Sequence, residues 1–200
     1  FDFHEAGLGL HGQYGWKGWD NNPLADGFAT EAQARTPFNS LMVQGPTDMV
    51  QEFDLPANRY LLTAWQYVPA DFQSGCDPTG LSCGSYLVLL NTYQDGGPYN
   101  WSVQLHADSL TGSFIRDQQI PVSLPLITNR WVRIDVLIDL TADAYRIYYD
   151  GIELGTAASW TAGTYGSGGG ALDIGALDLF GNGSTEVYYD DLYLRRLAPG

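Results

Sequence analysis

The sequence predicts an all-β protein, a sandwich or a barrel, and three observations carry that expectation. Nearly every apolar stretch has strand length and is rich in β-branched and aromatic residues. Twenty-four glycines and ten prolines fall between those stretches, in pieces such as QDGGPYN, ADSLTGS and DLTAD that carry turn chemistry. No helical period of any length is present, which leaves the closed or doubled sheets as the architectures that bury such strands. At 200 residues, 44% hydrophobic and only 16% charged, the chain has enough apolar surface for one core, so a single domain over 1–200 is expected.

The strands follow in order. GFATEAQAR (27–35) alternates Glu31, Gln33 and Arg35 against Ala32 and Ala34, and reads as the first. SLMVQG and DMVQEFDL come next, separated by the turn Gly45-Pro46. Then come YLLTAWQYVP, SYLVLLNTY, WSVQLHAD, FIRDQQI, WVRIDVLIDL, AYRIYYDGIEL, ALDIGALDL and EVYYDDLYLRR. Val132, Ile134, Val136 and Ile138 form one face of their strand and Arg133, Asp135 and Asp139 the other, with DLTAD as the hairpin turn to the next strand. GTYGSGGG (163–170) is a low-complexity turn segment. Trp65, Tyr67, Tyr86 and Trp131 are expected inside, while Trp16, Trp19, Tyr93, Tyr99 and Trp101 flank glycine-rich loops where sugar-stacking platforms are found.

Charge narrows the partners. Twenty-three acidic residues against nine basic ones give a net charge of −14, which repels nucleic acid and anionic membranes. No apolar run is long enough for a membrane span, so membrane insertion is not expected. Cys76 and Cys83 bracket CDPTGLSC with no second Cys/His pair nearby, which argues for a local disulfide over zinc and for an oxidising compartment. With a first residue that is Phe1, the chain is expected to be a mature secreted product, extracellular or at the cell surface. Asn100-Trp-Ser and Asn182-Gly-Ser are formal glycosylation sequons.

Side-chain parity suggests a polar floor. If Val103 and Leu105 point into the core, Gln104 and His106 point outward. Together with Arg35, Gln66, Asn91, Tyr93 and Trp101 they would offer amide, guanidinium, imidazole and aromatic groups to a glycan, provided that their strands are neighbours in one sheet. Ordinary solvent-facing residues of a one-sided sheet would show the same pattern. No E-x-D-x-E or E-x-D-x-x-E run, G-x-S-x-G elbow or free thiol is present for hydrolytic chemistry.

The segment WVRIDVLIDLTADAYRIYYDGIEL resembles the laminin-G-like and concanavalin A-like family, in which a tryptophan-led strand turns into one ending in a YxDG hairpin. The closing strand VYYDDLYL is similar to that of secreted jelly-roll sugar-binding modules. The resemblance implies an antiparallel two-sheet jelly roll and a lectin-like module that binds a polysaccharide or glycan without catalysis. It also implies a structural calcium ion held by Asp191 with Asp2 or Glu5. Gln104-Leu105-His106 resembles the Q-x-H motif of jelly-roll alginate lyases, and Arg35 their arginine. That likeness implies an alternative activity as a uronate lyase through Arg35, Gln104 and His106, although the late tyrosine-bearing strand motif of those enzymes is replaced here by ALDIGALDLFGNG. A further alternative is a structural subunit of an extracellular fibre or coat, with self-association through aromatic and edge-strand surfaces.

Overall fold

A computed structural model describes residues 1–117, 121–162 and 170–198. Its described residues form two antiparallel seven-stranded sheets packed face to face, with no α-helix. The strands are β1 (Trp16–Gly18), β2 (Phe28–Thr30), β3 (Ser40–Val43), β4 (Asp48–Leu55), β5 (Arg59–Tyr67), β6 (Ser85–Thr92) and β7 (Asn100–Asp108). They continue as β8 (Ser113–Arg116), β9 (Val122–Pro125), β10 (Trp131–Asp139), β11 (Ala144–Tyr149), β12 (Ile152–Glu153), β13 (Ile174–Phe180) and β14 (Val187–Arg196). One sheet has the order β1-β4-β13-β6-β7-β8-β9; the other runs β12-β11-β10-β5-β14-β3-β2.

Alternation decides what each strand buries. Val132, Ile134, Val136 and Ile138 of β10 face the inter-sheet core as the sequence predicts, and meet Leu62 and Ala64 of β5 across the ladder. Leu87 and Leu89 of β6 and Val103, Leu105 and Ala107 of β7 supply the opposing layer. Phe114 stacks on Tyr149 between the sheets, 4.1 Å between ring centroids at an interplanar angle of 6°.

Several sequence expectations change. GFATEAQAR is a strand only over Phe28–Thr30; residues 31–33 are bends, because this stretch offers alanines and not a wide apolar face to the core. Trp16–Gly18 and Val122–Pro125 form edge strands too short and too polar to be read from the sequence. Trp65, Tyr67 and Trp131 lie half-buried on the outer face of the second sheet, not inside. GTYGSGGG, except its last glycine, and the end of FIRDQQI lie outside the described residues. No helix among the described residues is long and apolar enough to cross a membrane.

Candidate functional site

The first sheet is apolar on both faces. Its inner face belongs to the main core, while Val50, Tyr86, Val88, Leu90 and Ala176 form a second buried cluster on the outer face. This cluster floors a groove of about 940 Å³. The register orders the floor in rows across the strands: Asp48, Phe180, Tyr86 and His106 in one, and Val50, Asp178, Val88 and Gln104 in the next. A third row runs from Glu52 through Ala176 and Leu90 to Trp101.

Two walls rise from the floor. At one end Trp19, in a 3-10 turn that follows β1, stacks on Trp101 with centroids 5.8 Å apart and packs on Tyr93 and Tyr99 at 4.8 and 4.9 Å. Asp20 ties this cluster together: its carboxylate accepts from the Gly96 N–H at 2.9 Å and from the Tyr99 hydroxyl, and its own N–H donates to the Tyr93 hydroxyl. The other wall is the loop closed by the Cys76–Cys83 disulfide. Asp77 caps it from within, accepting from the N–H groups of Leu81 and Ser82. The loop's base docks on the β13–β14 turn, where a side chain on Gly75 would meet the Asn182 carbonyl and its neighbours, so glycine is required by close approach.

The polar groups of the floor are acids and their partners. Asp117 accepts from the Gln104 amide at 2.8 Å and faces Nδ1 of His106 at 3.2 Å. The His106 ring lies against Tyr86, whose hydroxyl bonds Ser82 of the disulfide loop at 2.6 Å. Burial pushes the Tyr86 phenol up to about 12, so it remains a donor at neutral pH. Asp48 and Asp178 sit diagonally on β4 and β13, close enough for their carboxyl groups to act on each other. Burial raises Asp48 to about 6 and Asp178 well above the usual carboxylate range, the latter also through the neighbouring charge of Asp48. One proton is thereby retained between two acids, as expected where like charges share a site.

The polar row expected from parity does not assemble whole. Gln104, Trp101 and Tyr93 reach the groove or its aromatic end, and His106 lies just beneath the floor. Gln66 instead points inward from β5 and donates to the Tyr189 hydroxyl at 2.8 Å, because it shares parity with Leu62 and Ala64. Asn91 likewise shares parity with Leu87 and Leu89, and is buried against Asn100 and Ser102. Arg35 belongs to the other sheet: its backbone N–H bonds Asp190, its guanidinium pairs with Asp191, and it lies 3.7 Å from the Trp65 ring centroid. The lyase constellation of Arg35, Gln104 and His106 is therefore split between the two sheets, β5 and β14 against β7.

The calcium set does not converge either. Asp191 is engaged by Arg35 and by the Thr36 hydroxyl, and Asp2 accepts from the backbone N–H groups of Phe38 and Asn39 at 2.5 and 3.1 Å. Glu5 is exposed, and no group of three acidic, imidazole or thiolate side chains comes together among the described residues. The sequon side chains Asn100 and Asn182 are both buried and hydrogen-bonded.

No family model and no curated protein matches the chain. Solved structures do. Cellulose induced protein, Cip1, superposes with a TM-score of 0.56 at 13% identity, over 87% of this chain and 88% of that one. The carbohydrate binding module CBM66 from Bacillus subtilis gives 0.51 at 10% identity, over 90% and 95%. Trypanosoma rangeli sialidase in complex with sialic acid gives 0.53 at 16% identity, over 87% of this chain and 28% of the enzyme. The fold is an antiparallel two-sheet jelly roll. At such identities the likeness speaks for architecture, and the chemistry rests on the groove.

Proposed function

We propose that the outer face of the first sheet binds a carbohydrate chain, and that the protein is an extracellular lectin-like module. The observation that carries this reading is the pairing of the Trp19–Trp101–Tyr99 wall with hydrogen-bonding groups on the same floor. A pyranose ring presents an apolar face and a rim of hydroxyls, and this groove offers aromatic faces beside Gln104, Asp117 and the Asp48–Asp178 pair. Two structural neighbours, the CBM66 module and the sialidase complexed with sialic acid, are named for carbohydrates, which supports the reading. The Cys76–Cys83 disulfide is in keeping with an oxidising, extracellular compartment.

Binding without cleavage is favoured by the carboxyl geometry. Asp48 and Asp178 are diagonal neighbours on adjacent strands whose carboxyl groups perturb each other, unlike the separated pair that glycosidic cleavage uses. A uronate polymer is disfavoured, since every ionisable group that lines the groove among the described residues is acidic or a tyrosine. Affinity electrophoresis or a glycan array tests the reading with wild type and Trp101→Ala. Retention of wild type that falls at least tenfold in the variant is the expected result. No retention on any glycan, or retention indifferent to Trp101, overturns it; size measurement of the same samples would then show whether this surface serves self-association in a fibre or coat.

A further inference from the structure

We infer that the groove selects a glycan carrying free ammonium groups, a polymer or oligomer of unacetylated hexosamine. This inference rests on the carbohydrate reading above and narrows it to a substrate class.

Its first support is the sign and placement of charge. Asp48, Asp77, Asp117 and Asp178 all line the groove, and Asp20 lies behind its aromatic wall. Among the described lining residues there is no lysine or arginine to answer them. Asp77 and Asp117 are satisfied inside the protein, the first by its own loop and the second by Gln104 and His106. The acid pair is not. Asp178 is 4% exposed, and neither its Oδ1 nor that of Asp48 accepts a hydrogen bond from another residue. A buried carboxylate oxygen without a donor costs on the order of 1–3 kcal/mol, which leaves this pair the least satisfied of the acids that line the groove.

The second support is the company that the pair keeps. An ammonium group is compact, brings three donors, and is attracted both to carboxylates and to the π faces of tryptophan and tyrosine. Trp19, Tyr99 and Trp101 provide those faces in the same groove. A bare metal ion fits less well, because two carboxylates fall short of a hard-cation shell and no third acidic, imidazole or thiolate group joins them among the described residues. A neutral sugar hydroxyl satisfies one oxygen; an ammonium also takes over the electrostatic role of the proton held between Asp48 and Asp178, which passes to solvent as the amine docks.

The test measures the affinity of four oligosaccharides of equal length by calorimetry at near-physiological salt: a β-linked glucosamine, its N-acetylated form, a neutral glucan and a uronate. Wild type is expected to bind the free amine at least tenfold tighter than the glucan and to ignore the uronate. Asp178→Asn, and independently Asp48→Asn should the first variant fold poorly, is expected to bring the ratio of amine to glucan affinity down to about one. Asp71→Asn, the same carboxyl-to-amide change at an exposed site elsewhere on the chain, is expected to preserve the preference. Equal affinity for amine and glucan, or an amine preference that survives both pair variants or is lost equally in Asp71→Asn, overturns the inference while leaving a carbohydrate groove. Absence of binding to all four overturns the carbohydrate reading itself.

Discussion

Asp48 and Asp178 meet across the β4–β13 ladder although 130 positions separate them in the chain, each placed opposite an apolar residue, Phe180 and Val50 respectively. That diagonal sets a polar island in an apolar floor. Its first consequence is thermodynamic. Both acids hold their proton more tightly when folded than in an open chain, so the native state binds more protons between about pH 4 and 7. Stability is therefore expected to fall as pH rises from the open-chain carboxylate range through the folded value of Asp48, about 6. Asp178→Asn is expected to flatten the decline, as read from urea midpoints at pH 4.5, 5.5 and 6.5; an unchanged slope would remove the pair as its origin.

The opposite behaviour is expected in acid. Asp108 is buried, yet the Thr111, Leu110 and Ser74 donors hold its carboxyl below the usual range against the upward push of burial. A lowered folded value contributes stability above the unfolded value that is lost as pH falls through the folded one. Asp108→Ala leaves three donors unanswered and is expected to cost about 1–3 kcal/mol. Because Ser74 precedes the disulfide loop, the same variant is expected to weaken glycan binding. A melt that matches wild type would count against this account.

Opening the disulfide is expected to affect binding more than folding. The loop it closes is short, so loop-closure entropy contributes only about 2–3 kcal/mol. Asp77, Thr79, Leu81 and Ser82 of that loop line the groove, however, and would lose their fixed position. Cys76→Ser with Cys83→Ser is expected to remain folded by near-ultraviolet circular dichroism and to bind glycan at least fivefold more weakly. Wild-type affinity in the double variant would show that the loop is not a wall of the site.

Arg35→Ala provides the contrast between the two sheets. Loss of its partly exposed pairing with Asp191 and of its stacking on Trp65 is expected to cost about 1 kcal/mol. Glycan affinity is expected to stay within twofold of wild type. A tenfold loss would return Arg35 to the binding surface.

Strand-by-strand, much of this fold is legible because period two is strongly written: the β10 face of Val132 to Ile138 and the outward aim of Gln104 beside Leu105 both follow from alternation. The site was harder to read. Gln66 and Asn91 are polar residues on core-facing parity, and their neighbours Leu62 and Leu89 already carried the signal that they point inward. Arg35 sits where an alanine-rich alternation imitates a strand without the bulk to make one. The Asp48–Asp178 pair depends on which strands neighbour each other and in what register. Both aspartates stand at outward positions, one before Met49 and the other between Leu177 and Leu179, but nothing local joins β4 to β13.

Because Asp178, Val88 and Gln104 occupy one cross-strand row, the acid and the amide stand two strand spacings apart, roughly 9.5 Å. The backbone ladders of β13 with β6 and of β6 with β7 hold that interval. The groove thus acts as a yardstick: a guest must bring its polar groups at a matching pitch, and a change of guest has to come from altered side-chain reach at these positions, not from a yielding frame.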